Sequence, residues 1–388
     1  MTLVRSLFHI AFVVFTVSCL DESSTTITSD RNQNSDFDWQ LPLTTPLPVV
    51  PENNPMTEEK FQLGRHLFYD ERLSGNGSQS CAGCHRQERA FAEDRALSIG
   101  STGEVHPRNS QPLINVGYNA TLTWANPVLT TLERQILIPL FGEDPIEHGI
   151  NDANRDAIFS QLAADSQYQE LIQAAYPDAG DQLTTEIVVH SLATFVRALV
   201  SFNSPFDQYS RGDLSAVGED VLRGRDLFFS ERLECFHCHG GYNFTNSTVD
   251  ETTAFIEKPF HNTGLFNIDG EGSFPANNQG KFEVTGNPDD MGKFRAVTLR
   301  NIALTSPYMH DGSIETLSGV IDFYSAGGRV IESGPLAGDG RTNPLKDGFV
   351  TGFEITTQEK ADLLAFLESL TDRDFITKRR FGNPWQEQ

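Results

Sequence analysis

Apolar residues recur at helical spacing along much of this chain, and each such run predicts a helix rather than a strand. A capping Thr57 precedes Glu58, Glu59 and Lys60, and Phe61, Gly64, Leu67 and Phe68 then follow one helical face. Ile158, Phe159 and Leu162 predict a helix within 156–176. Ile187, Val188, Leu192, Phe195, Val196 and Leu199 predict another within 184–202. Two more are expected at 316–325 and 357–370. No region is strand-rich, and 240–290 is a long stretch of Gly, Asn and Asp. The expected class is mostly α, with long loops.

The pattern repeats. Gly64-Arg65-His66-Leu67-Phe68-Tyr69-Asp70-Glu71-Arg72-Leu73 and Gly224-Arg225-Asp226-Leu227-Phe228-Phe229-Ser230-Glu231-Arg232-Leu233 agree at seven of ten positions. Each leads into the same motif, Cys81-Ala82-Gly83-Cys84-His85 and Cys235-Phe236-His237-Cys238-His239. Cys-x-x-Cys-His attaches a c-type haem. The two thiols add to the vinyl groups of one porphyrin, and the His places an imidazole under the iron. A zinc ribbon would set its Cys pairs roughly 15–20 residues apart and needs no adjoining His. A thioredoxin-like pair would need a βαβ setting. Cys81, Cys84, His85, Cys235, Cys238 and His239 are therefore expected to hold two covalent haems. The chain divides into two cytochrome c-like haem domains related by this repeat, 55–210 and 211–388, with the crossing at 209–216.

Five Cys less four leaves Cys19. It ends an apolar run, Leu7 to Val17, that follows Arg5 and is too short to span a bilayer. Residues 1–19 read as a secretory signal. Thr16-Val17-Ser18-Cys19 resembles a bacterial lipobox with Thr16 in place of the usual Leu, so a lipid anchor on Cys19 is expected; ordinary signal cleavage is the alternative. Residues 20–54, rich in Ser, Thr, Asp, Asn and Pro, read as a flexible tether. The expected location is the periplasm, with the membrane reached only through the anchor.

At 388 residues and 38% hydrophobic the chain can build about two cored domains. A net charge of −24 argues against nucleic acid and anionic membrane surfaces. It is compatible with a positively charged protein partner, though a solvated acidic surface is the first reading of such a charge.

From Pro55 to Leu370 the sequence resembles the bacterial di-haem cytochrome c peroxidase/MauG family. Beyond the haem motifs, the resemblance is carried by Pro107-Arg108-Asn109, Asn115-Val116, Trp124, Leu132-Glu133-Arg134-Gln135, Pro145-Ile146-Glu147, and Leu299-Arg300-Asn301 through Pro307-Tyr308-Met309-His310-Asp311-Gly312. It looks most like the MbnH-type di-haem enzymes, which are associated with oxidising a tryptophan of a partner protein. The resemblance implies that hydrogen peroxide is reduced at the first haem, with electrons passing through the second. They would come from a protein electron donor or from a partner carrying an oxidisable Trp. In the family's peroxidases a His sixteen residues past the first proximal His caps that haem; here the count lands on Ser101, a poor iron ligand. His106, nearby, reads as a loop residue without a role. The second haem's distal ligand falls on Tyr324 by the family's spacing, whereas the residues alone would suggest Met309. The resemblance also makes Glu147 the proton-moving group, Gln135 its polar neighbour, and Trp124 the oxidisable ring between the haems. His148 departs from the Met common at that position. Calcium is implied at Asn109 (side chain) and at the carbonyls of Thr305 and Pro307. A di-haem electron carrier without peroxide chemistry is the other reading.

Overall fold

A computed structural model describes residues 37–386. The signal segment, Cys19 and residues 20–36 lie outside the described residues.

Two lobes are each built on one pair of crossed helices. In the first, Glu58–Tyr69 packs on Thr185–Arg197; in the second, Glu219–Phe228 packs on Thr357–Glu368. Side chains start three of these helices. Thr57 accepts from the Lys60 amide, Thr184 from that of Ile187, and Thr356 forms a capping box with Glu359. The repeated glycines mark both crossings. A Cβ on Gly64 would lie 1.9 Å from the Ser191 carbonyl oxygen, and one on Gly224 would lie 1.9 Å from that of Asp362. Only a residue without Cβ lets the backbones approach so closely.

The rings follow the repeat. Phe68, Phe91 and Phe195 interlock in the first lobe with centroids 4.9–6.3 Å apart. Phe228, Phe244 and Phe366 do the same in the second, at 5.2–6.3 Å. Asn115 and Asn301 form a further matched pair, both at positive φ (55° and 58°). The Asn115 amide donates to Leu199 and its Oδ1 accepts from Ser201; the Asn301 amide donates to Leu370 and its Oδ1 accepts from Asp372. The two sets join in a buried seam. Asn301 Nδ2 donates to the Ser201 hydroxyl (2.9 Å), which donates to Asp372 (3.1 Å), and Asn115 Nδ2 donates to Asn243 Oδ1 (3.1 Å).

The structure is mostly helical, as its sequence predicts. Among the described residues the sheet is one antiparallel pair, Val330–Ile331 with Gly338–Asp339. No helix among them is long and apolar enough to cross a membrane. Three expectations need correction. The predicted helix 156–176 is two helices, Arg155–Ala163 and Ser166–Ala175, because the Asp165 side chain accepts the Gln167 amide and starts the second. The tether expected over 20–54 is not loose from residue 37 onward. Phe37, Trp39 and Asn54 are buried, and Phe37 packs on Trp39 and Phe61 at 5.2 and 5.8 Å. Two rings outweighed a polar composition. The tail, assigned to the second domain, returns to the first: Phe375, Phe381 and Trp385 join the first lobe's core. Arg65 donates to the Gly382 and Arg379 carbonyls, Tyr69 to that of Phe381, and Arg380 pairs with Glu58.

Candidate active site

Each Cys-x-x-Cys-His turn opens onto a cavity. The first is lined by Cys81, Cys84 and His85; the second, the larger of the two, is lined by Cys235, Cys238 and His239. The histidines are prepared alike. His85 Nδ1 lies 2.8 Å from the Phe91 carbonyl, and His239 Nδ1 lies 3.2 Å from that of Phe244. A carbonyl only accepts, so Nδ1 donates and the Nε2 lone pair is left for a metal. Phe91 and Phe244 sit at φ 59° and 50°, unusual for a bulky residue, and this turns each carbonyl to its ring. Burial lowers both histidines to about 4, so both rings are neutral, as an iron ligand must be. The four thiols form no disulfide, and burial pushes Cys81 and Cys235 up to about 12.

The remaining walls fit haem. Arg295 is buried in the second cavity's wall. Its Nε donates to the Thr123 carbonyl and Nη2 to Gln111, while Nη1 is buried without a partner. Burial lowers its pKa to about 10. A buried cation with a spare N–H calls for an anion, and a haem's carboxylate chains are anions. In the first cavity, Gln135 Oε1 is likewise buried and unpaired.

The first cavity is also lined by Gln135, Glu147, His106 and His148. Gln135 comes from the helix Leu132–Phe141, which sequence periodicity did not predict, and Thr131 caps it. Burial raises the Glu147 carboxyl to about 7. Ser98, Ile99 and Gly100 face the cavity, but Ser101 lies behind them. Its amide donates to the Glu147 carbonyl and its own carbonyl accepts from Asn76. His148 is buried, with Nδ1 2.8 Å from the Leu73 carbonyl and Nε2 3.8 Å from Cys81 Sγ.

Tyr324 and Met309 both stand in the second cavity's wall. Tyr324 comes from the helix Leu317–Ser325, and burial raises its phenol well above the ordinary value. Trp124 shares this wall and donates from Nε1 to the Asn109 carbonyl at 2.8 Å. Asn109, Thr305 and Pro307 line the same cavity. Asn109 spends its amide nitrogen on the Arg95 and Ala96 carbonyls, at 2.9 and 3.3 Å. Arg295 and the wall position of His106 escaped the sequence reading. His310, which stacks on Phe294 at 3.6 Å with Nε2 unpaired, was read only as part of a motif. Their neighbours are distant in sequence, so no local pattern marks them.

Two lobes, each closing a Cys-x-x-Cys-His turn over its own cavity, define a di-haem c-type cytochrome. A di-haem cytochrome c peroxidase family profile matches residues 58–215. Cytochrome-c peroxidase IdrP1 of Denitromonas iodatirespirans is 33% identical over 351 residues, 86% of this chain and 88% of its own. Methylamine utilization protein MauG of Methylorubrum extorquens is 31% identical over 82% of this chain and 80% of its own. A solved structure of a MauG-like protein associated with microbial copper homeostasis shares 54% identity at a TM-score of 0.88, covering 90% of this chain and 99% of that one. The chain belongs to the di-haem cytochrome c peroxidase/MauG family, and it is an oxidoreductase of the di-haem peroxidase kind with covalently held haem c.

Proposed function

We propose that this protein uses hydrogen peroxide to oxidise a tryptophan of a partner protein in the periplasm. One observation carries the reading: the two cavities are unequal. In the first, Glu147 and Gln135 line the cavity and Ser101 is not among its lining residues; in the second, Tyr324 lines the cavity together with the His239 turn. The 54% identity to a MauG-like protein supports the choice of a protein side chain as the electron source.

Held by Cys81, Cys84 and His85 and by Cys235, Cys238 and His239, the haems would supply the redox chemistry, with peroxide bound at the first and electrons drawn through the second. Glu147 moves a proton from one peroxide oxygen to the other as the O–O bond breaks. Gln135 holds the peroxide with a neutral amide. Tyr324 closes the second site with a hard oxygen donor. Trp124, fixed by its bond to Asn109, offers an indole for charge to cross between the lobes. The peroxide gains two electrons and two protons and leaves as two waters; the partner's indole and a water it takes up together release those two electrons and two protons, so one peroxide and one Trp give one hydroxylated Trp and one net water. Asn109 Oδ1 and the carbonyls of Thr305 and Pro307 would hold calcium. The secretory signal and Cys19 would export and anchor the protein.

The ferric holoprotein is expected to show one high-spin and one low-spin haem by EPR. With peroxide, a small secreted partner should gain mass at a Trp. Two low-spin haems and an unmodified partner would overturn the proposal, and a small cytochrome oxidised in the partner's place would leave only the peroxidase reading.

A further inference from the structure

We propose that His106 is a positioning residue for the Glu147 carboxylate, a role that rests on reading the first cavity as the peroxide site. Residues 98–106 form a short hairpin that lines the first cavity. Ile99 bridges to Val105, and the His106 amide donates to the Ser98 carbonyl at 2.8 Å. The imidazole is therefore held at the base of a closed turn. Its orientation is readable as well. The Arg108 amide donates to His106 Nδ1 at 3.3 Å. An amide N–H cannot accept, so Nδ1 is the acceptor and the ring proton sits on Nε2. That Nε2 lies 3.7 Å from Glu147 Oε1.

The gap is slightly longer than a hydrogen bond and too short to lodge a water. A small side-chain rotation closes it, as catalytic contacts tighten when a ligand enters. Both side chains are about a third exposed, 30% and 37%, so both have room to turn. Burial lowers the His106 pKa and the Arg108 guanidinium lowers it further, which favours the neutral ring. Arg108 is itself fixed by Glu283 and Asn278. The other titratable groups lining this cavity are Glu104, His85, His148, Cys81 and Cys84. Glu104 accepts the Ile146 amide, His85 and His148 are held by backbone carbonyls, and the thiols belong to the haem motif. Among the described residues, His106 is the one that brings a titratable N–H to within 4 Å of a Glu147 oxygen.

A neutral N–H donor favours the ionised carboxylate. It also engages one oxygen and leaves the other for peroxide. Removing it should make Glu147 harder to ionise. Cyanide reports this without turnover, because entering HCN must give its proton to a base in the pocket. Its association rate with the ferric holoprotein should rise with pH as Glu147 ionises. In His106→Leu this rising limb should move up by about one pH unit, slowing association about tenfold below it. In His106→Gln, which keeps a neutral N–H, the limb should return toward that of the wild type. The peroxide rate should move in parallel. A Leu variant whose limb overlays the wild type overturns the inference. So does one whose ferric spectrum changes spin state, since His106 would then be an iron ligand. A wild type inert to peroxide whose cyanide limb still depends on His106 would defeat the functional proposal and leave this one standing.

Discussion

Glu147 lines the first cavity, and desolvation there raises its carboxyl to about 7. In the proposed mechanism the base form receives peroxide's proton, and a raised pKa depletes that form on the acid side. Peroxide turnover should therefore fall as pH drops through 7, approaching about tenfold per unit further down. Glu147→Gln should lower kcat by about 10²- to 10⁴-fold while the resting haem spectrum stays the same; stopped-flow peroxide assays check both. The haem-binding residues were legible from a local motif, Cys81 to His85 and Cys235 to His239. Glu147 was legible only through the family resemblance, because an acid among Glu143 to Glu147 looks like solvent-facing charge. His106 was passed over because its contact joins two loops, and sequence spacing does not show which loops meet.

The crossed helix pairs depend on two residues that have no side chain. Gly64→Ala or Gly224→Ala would drive a methyl against a backbone carbonyl, which cannot swing aside. Each should cost about 1–3 kcal/mol or more, visible as a lower melting temperature by circular dichroism. Gly348→Ala, whose added Cβ would meet nothing within 4 Å, should change little. The helices Glu58–Tyr69, Thr185–Arg197, Leu317–Ser325 and Thr357–Glu368 were legible because an apolar stripe and a capping Thr agree. The helix Leu132–Phe141 was not. It carries Pro139 and exposes Leu137 and Ile138, so its apolar residues do not trace one face.

At the scale of the molecule, the repeat predicted two lobes, and the chain's path between them was hidden. The tail 373–386 leaves the second lobe to cover the first, anchored by rings that a linear division assigns elsewhere. Ending the chain after residue 372 would strip Phe375 and Phe381 from that core. The truncated protein should lose stability in the first lobe while the His239 haem keeps its spectrum, as parallel melts at both haems' bands would show. The seam through Asn115, Ser201, Asn301 and Asp372 belongs to the same scale. The side chains of Asn115, Ser201 and Asn301 are buried and satisfied, so sliding one lobe past the other would strand them without water. The seam thereby ties the two haem-binding lobes at one spacing. Charge passing between haems held by the two motifs would cross the same gap from one turnover to the next, and loosening the seam would vary that gap.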